Sequence, residues 1–239
     1  MTPDWPAFGQ ALWQVSDQLG IRPEWQLPVL SLETGGTFNS ATTNSIGCVG
    51  INQFCPSTYS NYVHVPVEQY RAWPPSAQLV GPVLDYWRNA LQYGSIRSAT
   101  RLMVAQLGQA KLSSVPELDN VIFQAPSLEY EQNSGLDPDK KQYITEQDLA
   151  NAMWAQANSP AVSNALARTY ALRPNERPLD AVYGEDYPAI RPPIKVRSRG
   201  ILMAITIGGV IVGAAYGAYR LFALREPERL PEPEPEFEP

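Results

Sequence analysis

Histidine and cysteine are scarce in this chain of 239 residues: one histidine, His64, and two cysteines, Cys48 and Cys55. That is too few for a structural zinc site, which takes four such ligands. His64 stands between valines in Val63-His64-Val65 and reads as a packing residue, neither a ligand nor a general base. The cysteines lie seven positions apart. The sequence leaves open a disulfide in an oxidising compartment or two buried thiols. Positive charge is also in deficit over most of the chain. Residues 1–190 carry 11 Lys and Arg against 18 Asp and Glu, a net of −7, whereas residues 191–239 carry 7 against 6, a net of +1. Such an acidic body lacks the basic face that phosphate neutralisation needs, so nucleic acid is not an expected partner. A neutral or zwitterionic partner fits better.

Strand-period alternation is missing as well. No alternating run is long enough to build a sheet, so the expected fold class is mainly α. Hydrophobic content of 44% with 18% charge predicts a packed core. Phe8, Leu12, Val15 and Leu19 recur at steps of four, three and four and predict a helix over 5–19 that stops at Gly20. A second helix is expected over 25–32, kinked or restarted at Pro28. Further helices are expected from Pro56, over 76–91 and over 96–107, the last ending at Gly108. Residues 137–148 place carboxylates or hydroxyls at positions 1, 3, 9 and 12 of a calcium loop, but Lys141 and Gln142 stand at positions 5 and 6. The plainer reading is a turn followed by a helix, with Thr145 as N-cap and Asp148 closing a capping box. That helix continues over 149–170 with a break near Ser159-Pro160. No metal or cofactor is expected.

The chemistry concentrates at Glu33. The run before it, residues 27–32, is mostly apolar and reads as a buried helix end. A carboxyl there is costly to ionise, so desolvation raises its pKa and it can stay protonated near neutral pH. The Gly-rich stretch that follows, Glu33-Thr34-Gly35-Gly36-Thr37-Phe38-Asn39 and then Gly47-Cys48-Val49-Gly50-Ile51-Asn52-Gln53, has little side chain to pack. It suits a groove where backbone approaches a ligand closely. Glu33, Phe38-Asn39, Ala41, Gly47, Gly50-Ile51, Gln53, Pro56 and Thr58 together resemble the soluble lytic transglycosylase family. That family writes Glu-Ser-x-Phe-Asn-Pro-x-Ala, Gly-x-x-Gly-Leu-x-Gln and Pro-x-Thr in the same order. Phe38 lies five residues after Glu33, where the family pattern has three, and Gly35-Gly36 can absorb the difference as a wider turn. A second family motif, Ala-Tyr-Asn-Ala-Gly, has a weak counterpart ending at Gly108, with Gln106 at the asparagine and Ala105 at the tyrosine.

The resemblance implies a lysozyme-like helical domain that cleaves peptidoglycan. Glu33 would act as acid on the oxygen linking MurNAc to GlcNAc, then as base on the C6 hydroxyl, leaving a 1,6-anhydro end. The substrate's N-acetyl group would stabilise the cationic centre. Most glycosidases use two carboxylates. From residue 34 to 67 there is no Asp or Glu, so a single catalytic carboxyl is the expectation. Gln53, Thr34, Gly50, Ile51 and Gln106 are the expected substrate-binding residues. A hydrolase resembling goose-type lysozyme and a non-catalytic structural protein on the same fold are the alternatives.

Beyond a catalytic domain over 1–125 and a helical extension over 126–172, residues 173–199 read as a Pro-rich linker with a basic end. Residues 200–219 contain no charge, enough for about 30 Å of helix, and predict a single transmembrane helix over 200–222. Gly209, Gly213 and Gly217 form a small-residue stripe along which a second helix could pack. Four cationic residues precede the span and three follow it, which leaves its orientation open. Residues 223–239, rich in Glu and Pro, read as an extended tail. Met1-Thr2-Pro3-Asp4 is neither basic nor apolar, so no signal peptide is expected. The combination resembles the membrane-anchored, virion-associated transglycosylases of bacteriophages with an internal membrane. A bacterial inner-membrane enzyme is the alternative location.

Overall fold

The structure, a computed structural model, describes residues 1–187. The expected membrane helix over 200–222, the glycine stripe, the basic end of the linker and the tail lie outside the described residues. Among the described residues no helix is long and apolar enough to cross a membrane.

The fold is mainly helical, and α2 (Pro23–Thr34) is its axis: all twelve of its residues are buried. Apolar residues lie all round this helix, as expected for one enclosed by others. Around it pack α1 (Trp5–Leu19), α7 (Ala99–Leu107), α9 (Glu146–Ala157) and α10 (Pro160–Tyr170). Prolines start α1, α2 and α10, as they do the shorter α3 (Pro56–Tyr62) and α5 (Pro75–Gln78). In the first turn the missing N–H costs nothing and the fixed φ is already helical. α2 runs through Pro28 as one helix instead of restarting there. Packing on every side supplies what the lost backbone bond does not.

The predicted helix over 76–91 is divided. After α4 (Val67–Arg71) and α5 comes a π-helical turn, Leu79–Val83, and only then α6 (Leu84–Ala90). Gly81 leaves helical dihedrals and Pro82 lacks a donor, so the α ladder cannot continue. α7 begins at Ala99, where Ser98 accepts from the Arg101 amide at 3.1 Å. The break between α9 and α10 falls where expected, with Ser159 capping α10.

Two strands occur despite the lack of alternation: β1 (Val121–Gln124) pairs antiparallel with β2 (Tyr143–Thr145). This ribbon bridges the expected boundary at 125/126, α8 (Leu128–Asn133) lies between its strands, and α9 packs on α2 and α7. Residues 126–172 thus share one core with the first 125. The expected linker differs more sharply, because residues 173–187 lie against the body. The Leu179 amide donates to Glu24 at 2.8 Å, the Trp25 indole donates to the Asp180 carbonyl at 3.1 Å, and the Thr100 hydroxyl donates to the Val182 carbonyl at 2.7 Å. Pro174 and Pro178 forbid a helix, but side chains of α2 and α7 satisfy this extended backbone, and Val182, Tyr183 and Tyr187 bury their apolar parts.

One smaller expectation changes. His64 is exposed and so is not a packing residue. In the 137–148 segment the Lys141 ammonium bonds Asp148 at 2.7 and 2.8 Å and lies 4.0 Å from Asp137. The capping box of Thr145 and Asp148 is formed.

Candidate active site around Glu33

Glu33 is the penultimate residue of α2, and the helix stops there for a local reason. Gly35 takes a left-handed conformation (φ 60°), the Gly35 amide donates to the Leu32 carbonyl at 3.3 Å, and the Gly36 amide donates to the Ser31 carbonyl at 2.8 Å. This is a Schellman stop, which a glycine at the left-handed position makes without steric cost. The Gly35-Gly36 pair therefore ends the helix and turns the chain to Phe38. Phe38 itself has φ 51°, rare for a non-glycine residue. Its amide is held by the Thr34 hydroxyl at 2.9 Å, and its ring packs edge-on against Trp5 and beside Phe8.

Glu33 is 3% exposed, and neither carboxylate oxygen has a hydrogen-bond partner. Burial pushes its pKa up to about 8. Its place at a helix C-terminus, where the backbone dipole disfavours negative charge, acts in the same direction. At neutral pH the group is therefore a carboxylic acid with a proton to give. Gly35 and Thr37 are exposed, so the surface lies within a few residues of it along the chain.

The second stretch that carries the resemblance includes a tight turn over 50–53. Cys48 and Cys55 form a disulfide that closes it, and Val49 bridges to both Thr43 and Phe54. Gly50 (φ 86°) must be glycine: a Cβ there would sit 2.6 Å from a Tyr70 ring carbon and 2.8 Å from the Gln78 side-chain oxygen. Gln53, like Phe38, has positive φ, at 47°. Its Nε2 donates to the Gly50 carbonyl at 2.7 Å and the Thr42 carbonyl at 3.2 Å, leaving its Oε1 buried and unpaired. Gln106, on α7, donates from Nε2 to the Asn52 carbonyl at 2.8 Å, and its Oε1 is likewise unpaired.

The expected substrate-binding residues thus fall into two groups. Gln53, Gly50, Ile51 and Gln106 are brought together at the turn. The Gly50 and Ile51 amides are used internally, donating to the Thr42 carbonyl and to the Gln78 side chain, both at 3.0 Å. Thr34 has a different task from the one expected: its hydroxyl donates to the Leu30 carbonyl at 2.7 Å and accepts from Phe38, so it shapes the turn. Sequence reasoning missed Gln78. Fully buried, it accepts from Ile51 and donates to the Ser40 and Tyr70 carbonyls at 3.1 and 2.8 Å. It ties the loop after Glu33 to the 50–53 turn and to α4. A lone glutamine beside a π-helical turn carries no signal that could have revealed this. Ala105 stands where the resemblance would place a tyrosine, and Tyr86, from α6, donates its hydroxyl to the Ala105 carbonyl at 3.0 Å.

Among the described residues no group of three or more His, Cys, Asp or Glu is placed to hold a metal ion. Comparison of the chain with family models, with curated proteins and with solved structures finds no match.

Proposed function

We propose that this chain is a lytic transglycosylase with a lysozyme-like helical domain, which cleaves the MurNAc-β-1,4-GlcNAc bond of peptidoglycan to leave 1,6-anhydroMurNAc ends. The observation that carries the reading is Glu33, an unpartnered carboxyl buried at a helix end and protonated at neutral pH. Such a group can protonate a glycosidic oxygen and, once ionised, is a strong base in its low-dielectric site. Attack by the sugar's own C6 hydroxyl then needs no second carboxylate. Strained backbone at Phe38 and Gln53, within the two stretches that carry the resemblance, is consistent with a built site. Gln53 and Gln106 each offer an unpaired amide oxygen to sugar hydroxyls.

In this reading residues 200–222 anchor the enzyme in a membrane, and its task is local opening of the cell wall as a bacteriophage with an internal membrane delivers its genome. The test of activity is clearing of purified peptidoglycan sacculi by the full-length chain in detergent, beside Glu33→Gln. Clearing by the wild type and none by a folded Glu33→Gln is the expected result. Equal clearing by both would remove Glu33 from the chemistry, and no clearing by either would leave a structural protein.

A further inference from the structure

Asn52 is 1% exposed, and both the oxygen and the nitrogen of its carboxamide are buried without a hydrogen-bond partner. The amides that serve the fold look different. Gln78 makes three hydrogen bonds, and Gln26, although its buried Oε1 is unpaired, donates twice from its nitrogen, to the Leu12 and Ile21 carbonyls, whereas neither end of the Asn52 carboxamide is bonded. Asn52 also has company: the Oε1 atoms of Gln53 and Gln106 are buried and unpaired, and Gln106 is bonded to the Asn52 backbone. Four orphaned polar atoms therefore gather on three neighbouring amides. Each unmade bond costs roughly 1–3 kcal/mol of desolvation, so a concentration of them signals a partner that arrives later.

The turn is joined to the chain that follows Glu33 and to a helix that packs on α2. Thr42, on the chain leaving Glu33, is bonded to Gly50 and Gln53, and α7, which carries Gln106, packs along α2. Residues 34–67 contain no Asp, Glu, Lys or Arg, so this chain segment presents no carboxylate, ammonium or guanidinium. We propose that Asn52 is a substrate-contacting residue whose carboxamide donates one hydrogen bond to, and accepts one from, the hydroxyl or acetamido groups of the glycan strand presented to Glu33. This rests on the reading of Glu33 as the catalytic acid. The sequence places Asn52 between Ile51 and Gln53 but does not mark it as different from them.

The experiment compares full-length wild type with Asn52→Leu, which keeps the approximate size and removes both polar atoms. The readouts are kcat/KM on soluble peptidoglycan strands and the thermal unfolding midpoint. A structural amide would lower the midpoint when lost. A ligand-facing one leaves it unchanged or raises it, because an unpaired buried group is gone, while kcat/KM falls roughly 10- to 100-fold. An unchanged kcat/KM in the folded variant overturns the proposal. If Asn52→Leu does not fold, Asn52→Ala gives the same reading. If the wild type leaves the strands uncut, the Glu33 reading fails by itself. Strand binding by Glu33→Gln, with and without Asn52→Leu, then decides the role of Asn52: weaker binding without the amide supports it, and equal or absent binding overturns it.

Discussion

Replacing Glu33 by glutamine keeps the shape of the side chain and removes its proton equilibrium, so the stability difference between the two proteins isolates the energetics of that one group. In the unfolded chain Glu33 ionises near its ordinary value of 4.5, whereas in the folded chain burial holds the proton until about pH 8. Between those values the folded state binds a proton that the unfolded state has released, so stability falls as pH rises through the window. At pH 7 the gap above 4.5 is about 2.5 pH units, and at 1.36 kcal/mol per unit it costs the wild type about 3 kcal/mol. At pH 4 both side chains are neutral and the cost vanishes. Glu33→Gln should therefore match the wild type at pH 4 and unfold roughly 6–12 °C higher at pH 7. Thermal unfolding of the two full-length proteins from pH 4 to pH 8 reads this directly, because every other titrating group is common to both and cancels. A difference that does not change with pH, or a wild type that is the more stable at pH 7, would refute the reasoning and mean that Glu33 is ionised and paired.

Under the proposed function the same raised pKa would limit catalysis: the rate on peptidoglycan should fall as pH rises through about 8, where Glu33 loses the proton that the proposed acid donates, and a flat profile up to pH 9 would contradict this. Reducing Cys48–Cys55, or replacing both by serine, should cost about 2.5 kcal/mol, from the entropy of closing a short loop, and should lower activity through the 50–53 turn; denaturant unfolding with and without reductant measures it. Gly50→Ala should destabilise by roughly 1–3 kcal/mol, because its Cβ meets Tyr70 and Gln78 and its φ of 86° disfavours any side chain; wild-type stability would contradict the turn geometry. Arg101 and Glu146 form a buried ion pair at 2.8 Å, so Arg101→Met should cost roughly 3–5 kcal/mol by stranding Glu146, read as a lower denaturation midpoint.

What the sequence revealed was what local rules determine. The first helix was legible from the spacing of Phe8, Leu12 and Val15, and the α9 start from Thr145 and Asp148, because periodicity and capping act within a few residues. The burial of Glu33 was legible from the apolar run before it. Long-range satisfaction was not. Residues 173–187 looked like a linker because prolines forbid regular structure, and nothing local shows that Glu24, Trp25 and Thr100 wait to bond their backbone. The two-stranded ribbon escaped for a similar reason: β1 and β2 have four and three residues, too short for alternation to register. In the site, Glu33, Gly50 and Gln53 stood out through their residue types. Gln78 and Asn52 matter through which of their bonds are made or left unmade, which only the assembled fold displays.

The most direct test of the central claim is mass analysis of the fragments released when the full-length chain digests purified peptidoglycan. Glu33 acting first as acid and then as base on the substrate's own hydroxyl predicts muropeptides ending in 1,6-anhydroMurNAc, lighter by one water than the hydrolytic products, and none from Glu33→Gln. Reducing ends in their place would contradict the account and make the protein a hydrolase.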